Sequence, residues 1–483
     1  MSTSEVAVAA GKLRGRWESG VAVFRGIPYA APPVGPRRFA APQPAPGWAG
    51  VRPAGSFGPP VPQADMFGGA PDPAAGDDWL TVNVWTPDPG PAARLPVMVW
   101  IYGGGYTVGM SSWPEYDGGH LARDGDVVLV TFNYRLGVEG FAAIAGAPAN
   151  RGLLDQVAAL EWVRDNIAAF GGDPARVTVF GESAGAGSVA ALLAMPRTAG
   201  LFRRAVAQSV AGPFFSRELA DDIAAALAAE VGKRPTVDDL SDVDPARLAA
   251  LDPSRPARWG AAGLRSILFA PVVDGEILPA TPWHALAAGA AREVDLLAGH
   301  TRDEHRLFAL IESPTGTDLG PFVPDDLGRY SAAYPGSDLH EIVHSDWLFR
   351  MPSVFLADAH ARAGGRTHFY ELTWPAPGLG GTLGACHGLD VPLVFGNLTS
   401  GRPAMLLGDD PGDDAAALSS QMRAAWTAFA TYGDPGWPAY TPDRRLTQIF
   451  DVPATVAPYP EQASHQIWQT HPFDPLTLAP DLR

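Results

Sequence analysis

The chain has 483 residues, 46% of them hydrophobic and 18% charged, which is the composition of a globular protein and not of a disordered or fibrous one. Its 52 acidic and 35 basic residues give a formal net charge of −17, which disfavours nucleic acid and membrane surfaces as partners, since both need clustered lysine and arginine. The single cysteine, Cys386, excludes an intramolecular disulfide, and no apolar run reaches the length of a transmembrane helix. Because the first residues also lack the pattern of a signal peptide, we expect a cytoplasmic protein, monomeric or a small homo-oligomer.

Apolar runs recur along the chain, with helix-like segments between them. The predicted strands, in chain order, are residues 80–85, 97–102, 127–133, 177–180, 204–209, 294–298 and 368–374. Several are almost wholly apolar, which is typical of strands covered on both faces. Residues 153–170 repeat apolar side chains at helical spacing and end at a glycine pair. This alternation predicts an α/β fold with a mostly parallel central sheet and helices on both faces.

The chain offers no clear break between domains. We therefore predict a single α/β domain over residues 1–483. Within it, residues 213–365 are rich in helical pattern and are predicted to form a cap or regulatory region. Residues 53–78, with their prolines and glycines, are the most loop-like segment.

A serine stands at the junction of a predicted strand and a predicted helix. The sequence Gly181-Glu182-Ser183-Ala184-Gly185 follows strand 177–180 and leads into an apolar helical run that stops near Pro196. A sharp strand-to-helix turn holds a serine oxygen out toward a substrate, and the glycines give the turn room to close. The pattern predicts a nucleophilic serine, provided that a base and an oxyanion site accompany it.

Candidates for the other parts of such a site follow in chain order. Strand 97–102 runs into Gly103-Gly104-Gly105, whose backbone N–H groups, with that of Ala184, are candidate oxyanion donors. Glu304 follows strand 294–298, and local chemistry does not separate it from Asp303 as the acid. His387, after strand 368–374, is the candidate base, because the order nucleophile, acid, histidine is that of the strand-turn serine hydrolases.

At this point the chain resembles the type-B carboxylesterases, the carboxylesterase–cholinesterase group of the α/β-hydrolase fold, and in character the bacterial para-nitrobenzyl-type esterases. The matching blocks span nearly the whole chain: Phe24 to Ala30, Pro32 to Gly35, Leu80 to Trp85, Trp100 to Gly105, Asn133 to Gly137, Phe170 to Pro174, Gly181 to Ala186, His387 to Gly396, and Gly433 to Pro438. So many ordered blocks do not arise by chance. The fold and the activity that the resemblance implies are those of a serine esterase.

The resemblance also implies residue roles. It implies Ser183 as nucleophile, His387 as base and Glu304 as acid. For the oxyanion site it favours Gly104, Gly105 and Ala184 over Gly103. It further implies Ser209 as a partner of Glu304, and Glu182 as a structural residue paired with an arginine. No cofactor and no metal are expected.

Apolar side chains near these residues are candidates for the substrate pocket. They are Tyr106, Met110 and Trp113 after the glycine loop, and Phe214 and Phe215 after Ser209. The same side chains equally fit the hydrophobic core. If they line the pocket, the substrate is an uncharged, medium-sized ester with an aryl or short alkyl part.

Two alternatives belong to other classes of function. His340-Glu341-Ile342-Val343-His344 matches H-E-x-x-H, the signature of zinc proteases, although the expected third ligand has no candidate nearby. The favoured interpretation of this motif is a surface helix that carries two histidines. For His305, beside Glu304, the favoured interpretation is a solvated histidine at the start of a helix. The other alternative is a catalytically silent binding module on the same fold, which the presence of all three triad candidates disfavours.

Overall fold

The computed structural model describes residues 3–64, 76–310, 318–401 and 403–479. Thirteen strands in these residues form one sheet, and two more pair separately. In chain order the strands are β1 (Thr3–Val8), β2 (Gly11–Glu18), β3 (Val21–Pro28), β4 (Val51–Pro53), β5 (Thr81–Thr86), β6 (Leu95–Ile101), β7 (Val128–Phe132), β8 (Gly172–Glu182), β9 (Arg204–Gln208), β10 (Phe215–Ser216), β11 (Val272–Val273), β12 (Asp295–Thr301), β13 (Thr367–Leu372), β14 (Leu446–Phe450) and β15 (Thr455–Pro458).

The large sheet is parallel in its centre and antiparallel at both edges. Its order is β1-β2-β3-β5-β7-β6-β8-β9-β12-β13-β14-β15, with β4 beside β2. The strands from β7 to β14 in this order run parallel, whereas β1, β2, β3, β5 and β15 pair antiparallel with their neighbours in it. All seven predicted strands lie in this sheet, as β5 to β9, β12 and β13. The prediction of a mostly parallel central sheet is confirmed.

Helices fill most of the connections between the parallel strands. They are α1 (Gly119–Gly125), α2 (Gly137–Gly140), α3 (Arg151–Asn166), α4 (Ala184–Ala194), α5 (Arg217–Glu230), α6 (Val237–Leu240), α7 (Pro245–Ala249), α8 (Gly260–Leu264), α9 (Pro282–Ala287), α10 (Leu327–Ala333), α11 (Leu339–Ser345), α12 (Met351–Arg362), α13 (Asp390–Phe395), α14 (Pro403–Leu407), α15 (Gly412–Tyr432) and α16 (Gln462–Trp468). Helices α3, α4, α9 and α12 form one contacting group on the sheet, and α1, α13 and α15 form another. This is the layered packing that buries both faces of a parallel sheet.

The parallel strands bring three candidate segments to one edge of the sheet. Strands β6, β8, β9 and β12 are consecutive neighbours and run in the same direction, so their C-terminal ends lie side by side. Strand β6 ends just before the glycine loop, β8 ends at Glu182, and β12 ends at Thr301, three residues before Glu304. The topology therefore gathers the glycine loop, the serine and the acid at this edge.

A buried ion pair ties the segment after β7 to α3. Arg135 donates three hydrogen bonds to Asp155, from its backbone N–H at 3.0 Å and from Nε and Nη2 at 2.8 and 2.7 Å. Both side chains are fully buried. Each side chain thus compensates the charge of the other at a position that water does not reach. Loss of one partner would leave an uncompensated buried charge.

The predicted helix-rich region contains a strand of the main sheet. Residues 213–365 include α5 to α12, but also β12, which lies between β9 and β13 in the sheet. Its role as a cap stays a prediction. Of the loop-like segment 53–78, residues 65–75 lie outside the described residues. In the part of the chain that is described, no helix is both long enough and apolar enough to cross a membrane.

Candidate active site

Ser183 occupies the turn between β8 and α4. Its backbone adopts φ 60° and ψ −125°, a conformation that residues with a side chain rarely take, and its N–H donates to the carbonyl of Gln208 at 2.9 Å. A β-carbon on Gly185 would collide with the carbonyl oxygen of Ile101, and one on Gly181 would lie 2.7 Å from the same oxygen. The turn therefore requires glycine on both sides of Ser183. The serine itself is only half-buried.

The glycine loop after β6 lies directly against this turn. A β-carbon on Gly103 would lie 2.9 Å from the Cβ of Ser183, so only glycine permits this approach. Gly104 and Gly105 have φ of 103° and 61°, in the left-handed region. Within the described residues, the N–H groups of Gly104, Gly105 and Ala184 donate to no protein acceptor. They are free to donate to an oxygen bound beside the serine.

The carboxylate of Glu304 is fully buried and accepts hydrogen bonds on both oxygens. Its Oε1 accepts from the Ser209 hydroxyl at 2.6 Å and from the N–H of Thr301 at 2.9 Å, and its Oε2 lies 2.5 Å from Nδ1 of His387. Burial acts to raise the pKa of Glu304, but the charge of His387 and the hydrogen bonds from His387 and Ser209 lower it below the usual value. The group is therefore an ionised acceptor aimed at the imidazole.

The neighbouring carboxylate, Asp303, makes different contacts. It accepts from the N–H of Ala385 at 2.8 Å and pairs with Arg302 at 3.0 Å and Arg306 at 3.1 Å. These contacts anchor the loop that leads to His387 without reaching the imidazole. Of the two acids that the sequence left open, the structure places Glu304 against His387.

His387 lies in the segment between β13 and α13, with 6% of its surface exposed. Its Nε2 lies 3.0 Å from Oε1 of Glu182, so the ring stands between two carboxylates. Burial acts to lower the pKa of His387, but the charges of Glu182 and Glu304 and the hydrogen bond with Glu304 outweigh it and raise the pKa to about 9. The structure therefore favours the imidazolium form of the ring.

Glu182 has a partner that the sequence did not predict. The structure puts the carboxylate of Glu182 against His387, and the arginine partner that the resemblance implied stays a prediction. A β-carbon on Gly103 would lie 3.0 Å from Oε2 of Glu182, so this carboxylate and Ser183 face the same glycine. Among the described residues, no hydrogen bond joins the Ser183 hydroxyl to His387. In this state Nε2 of the imidazole faces the carboxylate of Glu182 as an ion pair.

Two phenylalanines that the sequence did not single out contact the imidazole. The ring of Phe349 stacks on His387 with 4.0 Å between centroids and 25° between planes, and Phe308 lies 5.2 Å from His387. The two phenylalanines stack on each other at 5.8 Å. They shield one face of the imidazole from water. No local motif marks them, because they lie far apart in the chain and only the fold brings them together.

The predicted pocket residues divide into two groups. Tyr106, Phe214 and Phe215 are 2%, 1% and 2% exposed, and the first two pack against the rings of Phe141 and Trp283. Their burial is that of core side chains, and their place in a substrate pocket stays a prediction. Met110 and Trp113 are half-buried near the glycine loop and stay predicted pocket residues.

The interpretation of two histidines as solvated is wrong. His344, on α11, and His305, after Glu304, are both fully buried, while His340 is half-buried. The reason is that α11 packs against the turn that contains His305, and the ring of Phe322 covers His344 at 4.6 Å. Burial lowers the pKa of His344 to about 2, with the charge of Arg265 adding to the effect, so this imidazole is neutral.

The position of Glu341 does not support the alternative that the H-E-x-x-H motif forms a catalytic zinc centre. Oε1 of Glu341 accepts a hydrogen bond from Ser345 on the same helix at 2.9 Å. A zinc protease uses this carboxylate as the general base on a metal-bound water. Here it is directed along its own helix.

Comparisons with known proteins agree with this geometry. A family model described as the carboxylesterase family matches residues 2–319 and 336–468. Para-nitrobenzyl esterase of Bacillus subtilis is 40% identical over 94% of this chain and 96% of its own length, and phenmedipham hydrolase of Pseudarthrobacter oxydans is 36% identical over 90% and 92%. A solved structure of a PNB esterase superposes with a TM-score of 0.84 at 38% identity, covering 96% of this chain and 100% of that one.

Proposed function

This chain belongs to the carboxylesterase family and is a carboxylic ester hydrolase, and we propose that it hydrolyses uncharged, medium-sized esters through an acyl-serine intermediate on Ser183. The observation that carries the proposal is the 2.5 Å contact between Glu304 and His387 beside a serine held in a strained turn. A buried carboxylate that orients an imidazole, which in turn serves a serine hydroxyl within reach of the substrate, is the arrangement that serine hydrolases need.

In the first half of the proposed reaction, Ser183 attacks the ester carbonyl. His387 takes the hydroxyl proton on Nε2, and Glu304 holds the imidazole by Nδ1 and stabilises the cation that forms. His387 then gives the proton to the leaving alcohol, which departs and leaves an ester between the substrate acyl group and Ser183. Water, deprotonated by the same imidazole, hydrolyses this ester in the second half.

The glycine loop supplies the electrostatic part of the proposed mechanism. When the carbonyl carbon becomes tetrahedral, its oxygen acquires negative charge. The N–H groups of Gly104, Gly105 and Ala184 have no protein acceptor within the described residues, and the glycine loop meets the serine at Gly103, where a β-carbon would lie 2.9 Å from the Cβ of Ser183. Donors that are already in place cost no reorganisation during the reaction, and one such donor is typically worth about 10²–10³ in kcat.

The base must change partner before it acts. As the imidazolium, His387 carries a proton on Nε2 and forms an ion pair with Glu182, whose Oε1 lies 3.0 Å from that nitrogen. Once it loses that proton, Nε2 carries a lone pair, and a lone pair facing a carboxylate oxygen is repelled. The Ser183 hydroxyl, next in the chain to Glu182, is a donor and becomes the better partner. We infer that deprotonation releases His387 from Glu182 toward Ser183.

The proposed substrate class rests on the groups around the base. Phe308 and Phe349 present apolar rings to His387, and both Glu182 and Glu304 are carboxylates. Apolar surface favours aryl and alkyl groups, while the carboxylates repel an anionic substrate. Para-nitrobenzyl and p-nitrophenyl esters are therefore suitable substrates, in agreement with the name of the Bacillus subtilis relative.

A p-nitrophenyl ester series tests the proposal. Wild type, Ser183→Ala and the control Ser337→Ala, an exposed position, are assayed on acyl chains of increasing length. We expect wild type and Ser337→Ala to turn over short and medium chains, and Ser183→Ala to lose several orders of magnitude in kcat with its fold retained. Hydrolysis by Ser183→Ala at the wild-type rate contradicts the acyl-serine mechanism.

A further inference from the structure

Three histidines that ester hydrolysis does not use lie against one another. His305 follows Glu304, and His340 and His344 lie on α11. The ring centroids are 4.3 Å apart for His340 and His344, 4.8 Å for His305 and His344, and 5.2 Å for His305 and His340. One ring nitrogen of each lies within 4.8 Å of the other two. Three imidazoles share one small volume.

The backbone holds this histidine cluster, His305, His340 and His344, in place. The Asp338 side chain accepts from the N–H groups of His340 and Glu341 and so fixes the start of α11. Positions four apart then lie on one face of the helix. On the other side, the N–H of His305 donates to Oγ of Ser345 at 3.0 Å, which joins its turn to the end of α11.

The central member of the cluster lacks hydrogen bonds in the described part of the chain. His344 is fully buried, and neither of its ring nitrogens has a partner there. Nearly all buried polar side-chain atoms in proteins have a partner, because an unsatisfied one costs free energy. A ligand that accepts the lone pair of a neutral imidazole would remove this cost.

We propose that His305, His340 and His344 bind one divalent transition-metal ion of the Zn²⁺ class. Neutral imidazole is a preferred ligand of Zn²⁺, Cu²⁺ and Ni²⁺, and three such ligands leave one position of a tetrahedral site open. Zn–N bonds of about 2.0–2.1 Å place the donor nitrogens about 3.4 Å apart in a tetrahedron. The present separations therefore need only small rotations of the three rings.

A cation of the protein itself stands beside the cluster. Nη2 of Arg265 lies 3.0 Å from Nε2 of His305, and the Arg265 side chain is half-buried. The positive charge of Arg265 repels a metal cation. Its hydrogen bond also occupies the lone pair on Nε2 of His305, which a metal ion could otherwise use. Metal binding therefore requires Arg265 to turn away, and loss of this guanidinium strengthens binding.

The proposed ion has no part in the hydrolysis by Ser183. Glu341, the residue that would serve as base in a zinc protease, is engaged by Ser345. What the ion would do is join the turn after Glu304 to α11 through two ligands on the helix and one on the turn. The proposed site would therefore stabilise the fold. Its existence does not depend on the acyl-serine mechanism.

The test uses the full-length chain without an affinity tag, stripped with EDTA, dialysed and titrated with Zn²⁺ alone. We expect one equivalent bound by wild type, measured by calorimetry and by metal analysis after dialysis. His340→Gln and His344→Gln are expected to lose at least tenfold in affinity, and Arg265→Met to gain at least tenfold. His284→Gln, a half-exposed histidine elsewhere, is the matched control and should bind as wild type does.

Equal zinc binding by wild type and His340→Gln, or no stoichiometric binding by Arg265→Met, overturns the proposal. His340 is half-buried, so this variant decides the question even where His344→Gln fails to fold. Replacement of Zn²⁺ by Co²⁺ gives a second readout, since a tetrahedral site produces strong visible absorption. Ser183→Ala should still bind one equivalent, and EDTA should leave wild-type hydrolysis unchanged, which separates this test from that of the esterase mechanism.

Discussion

Nε2 of His387 lies 3.0 Å from Oε1 of Glu182, the residue immediately before Ser183. The same imidazole contacts Glu304 through Nδ1 at 2.5 Å. One base therefore stands between two carboxylates, and only one of them, Glu304, is the acid of the proposed triad. The second carboxylate stabilises the protonated base, which is the form that cannot accept the proton of the serine.

Glu182→Gln is expected to move the acid limb of the pH–rate profile to lower pH. The charges of Glu182 and Glu304 outweigh burial and raise the pKa of His387 to about 9. The base acts only when deprotonated, so activity falls as the pH drops through this pKa. Removal of one of the two charges lowers the pKa, and the loss of activity then begins at lower pH.

The measurement for Glu182→Gln is kcat/KM for a p-nitrophenyl ester against pH, with wild type beside it. Glu161→Gln, at a partly exposed position on α3, is the control and should leave the profile unchanged. An unchanged or higher midpoint in Glu182→Gln would show that Glu182 does not act on His387.

Glu304→Gln should cost far more activity than Ser209→Ala. The glutamine removes the charge that stabilises the imidazolium, and its amide favours the wrong tautomer, so we expect a loss of about 10³–10⁴ in kcat. Ser209→Ala keeps the carboxylate and removes only the hydroxyl that donates to it at 2.6 Å, so we expect a loss of about tenfold. Steady-state kinetics with circular dichroism as a folding check measures both. Equal losses in the two variants would contradict this division of roles.

Alanine at the two neighbouring loop glycines should have unequal effects. A β-carbon on Gly104 would collide with the carbonyl oxygen of Val108, whereas one on Gly105 would meet no atom within 4 Å. Gly104→Ala must displace the loop and its donors, and we expect kcat to fall by about 10²–10³. Gly105→Ala introduces only the strain of a left-handed backbone, so its kcat should fall by about tenfold or less. A larger loss in Gly105→Ala would argue against this geometry of the oxyanion site.

Asp155→Ala should destabilise the fold strongly. The substitution leaves the guanidinium of Arg135 fully buried without its partner, which typically costs about 3–5 kcal/mol. The control is Asp165→Ala, which breaks an exposed pair with Arg164 and should stay within about 1 kcal/mol of wild type. Urea unfolding followed by tryptophan fluorescence compares the two midpoints. Similar midpoints for both variants would contradict the importance of the buried pair.

The sheet could be predicted from the sequence because burial on both faces leaves a simple signal. The runs that became β6, β7 and β8 are apolar at nearly every position, which is typical of parallel central strands. The serine turn was equally readable, because Gly181 and Gly185 are required by contacts with Ile101 that no other residue permits. Both the central strands and the serine turn could therefore be predicted, because burial and close local contacts restrict which residues can occupy them.

What the sequence could not provide depends on contacts between distant segments. Phe349 stacks on His387, and His305 meets α11, only because the segments after β12 fold over the end of the sheet. The long helix α15 and the strands β1 to β3 were also not predicted. For His305 and His344, local polarity indicated solvent, whereas packing against Phe322 and α11 buries both rings. Burial of a histidine is a property of the fold, and no local pattern reports it.

Labelling of Ser183 by an organophosphate is the most direct test of the proposed mechanism. Diethyl p-nitrophenyl phosphate should transfer one diethylphosphoryl group to the enzyme with release of p-nitrophenolate and complete loss of esterase activity. Peptide mass spectrometry should then place the group on Ser183, and Ser183→Ala should stay unlabelled. Complete inactivation with the group on another residue, or an unlabelled and fully active enzyme, would contradict Ser183 as the nucleophile.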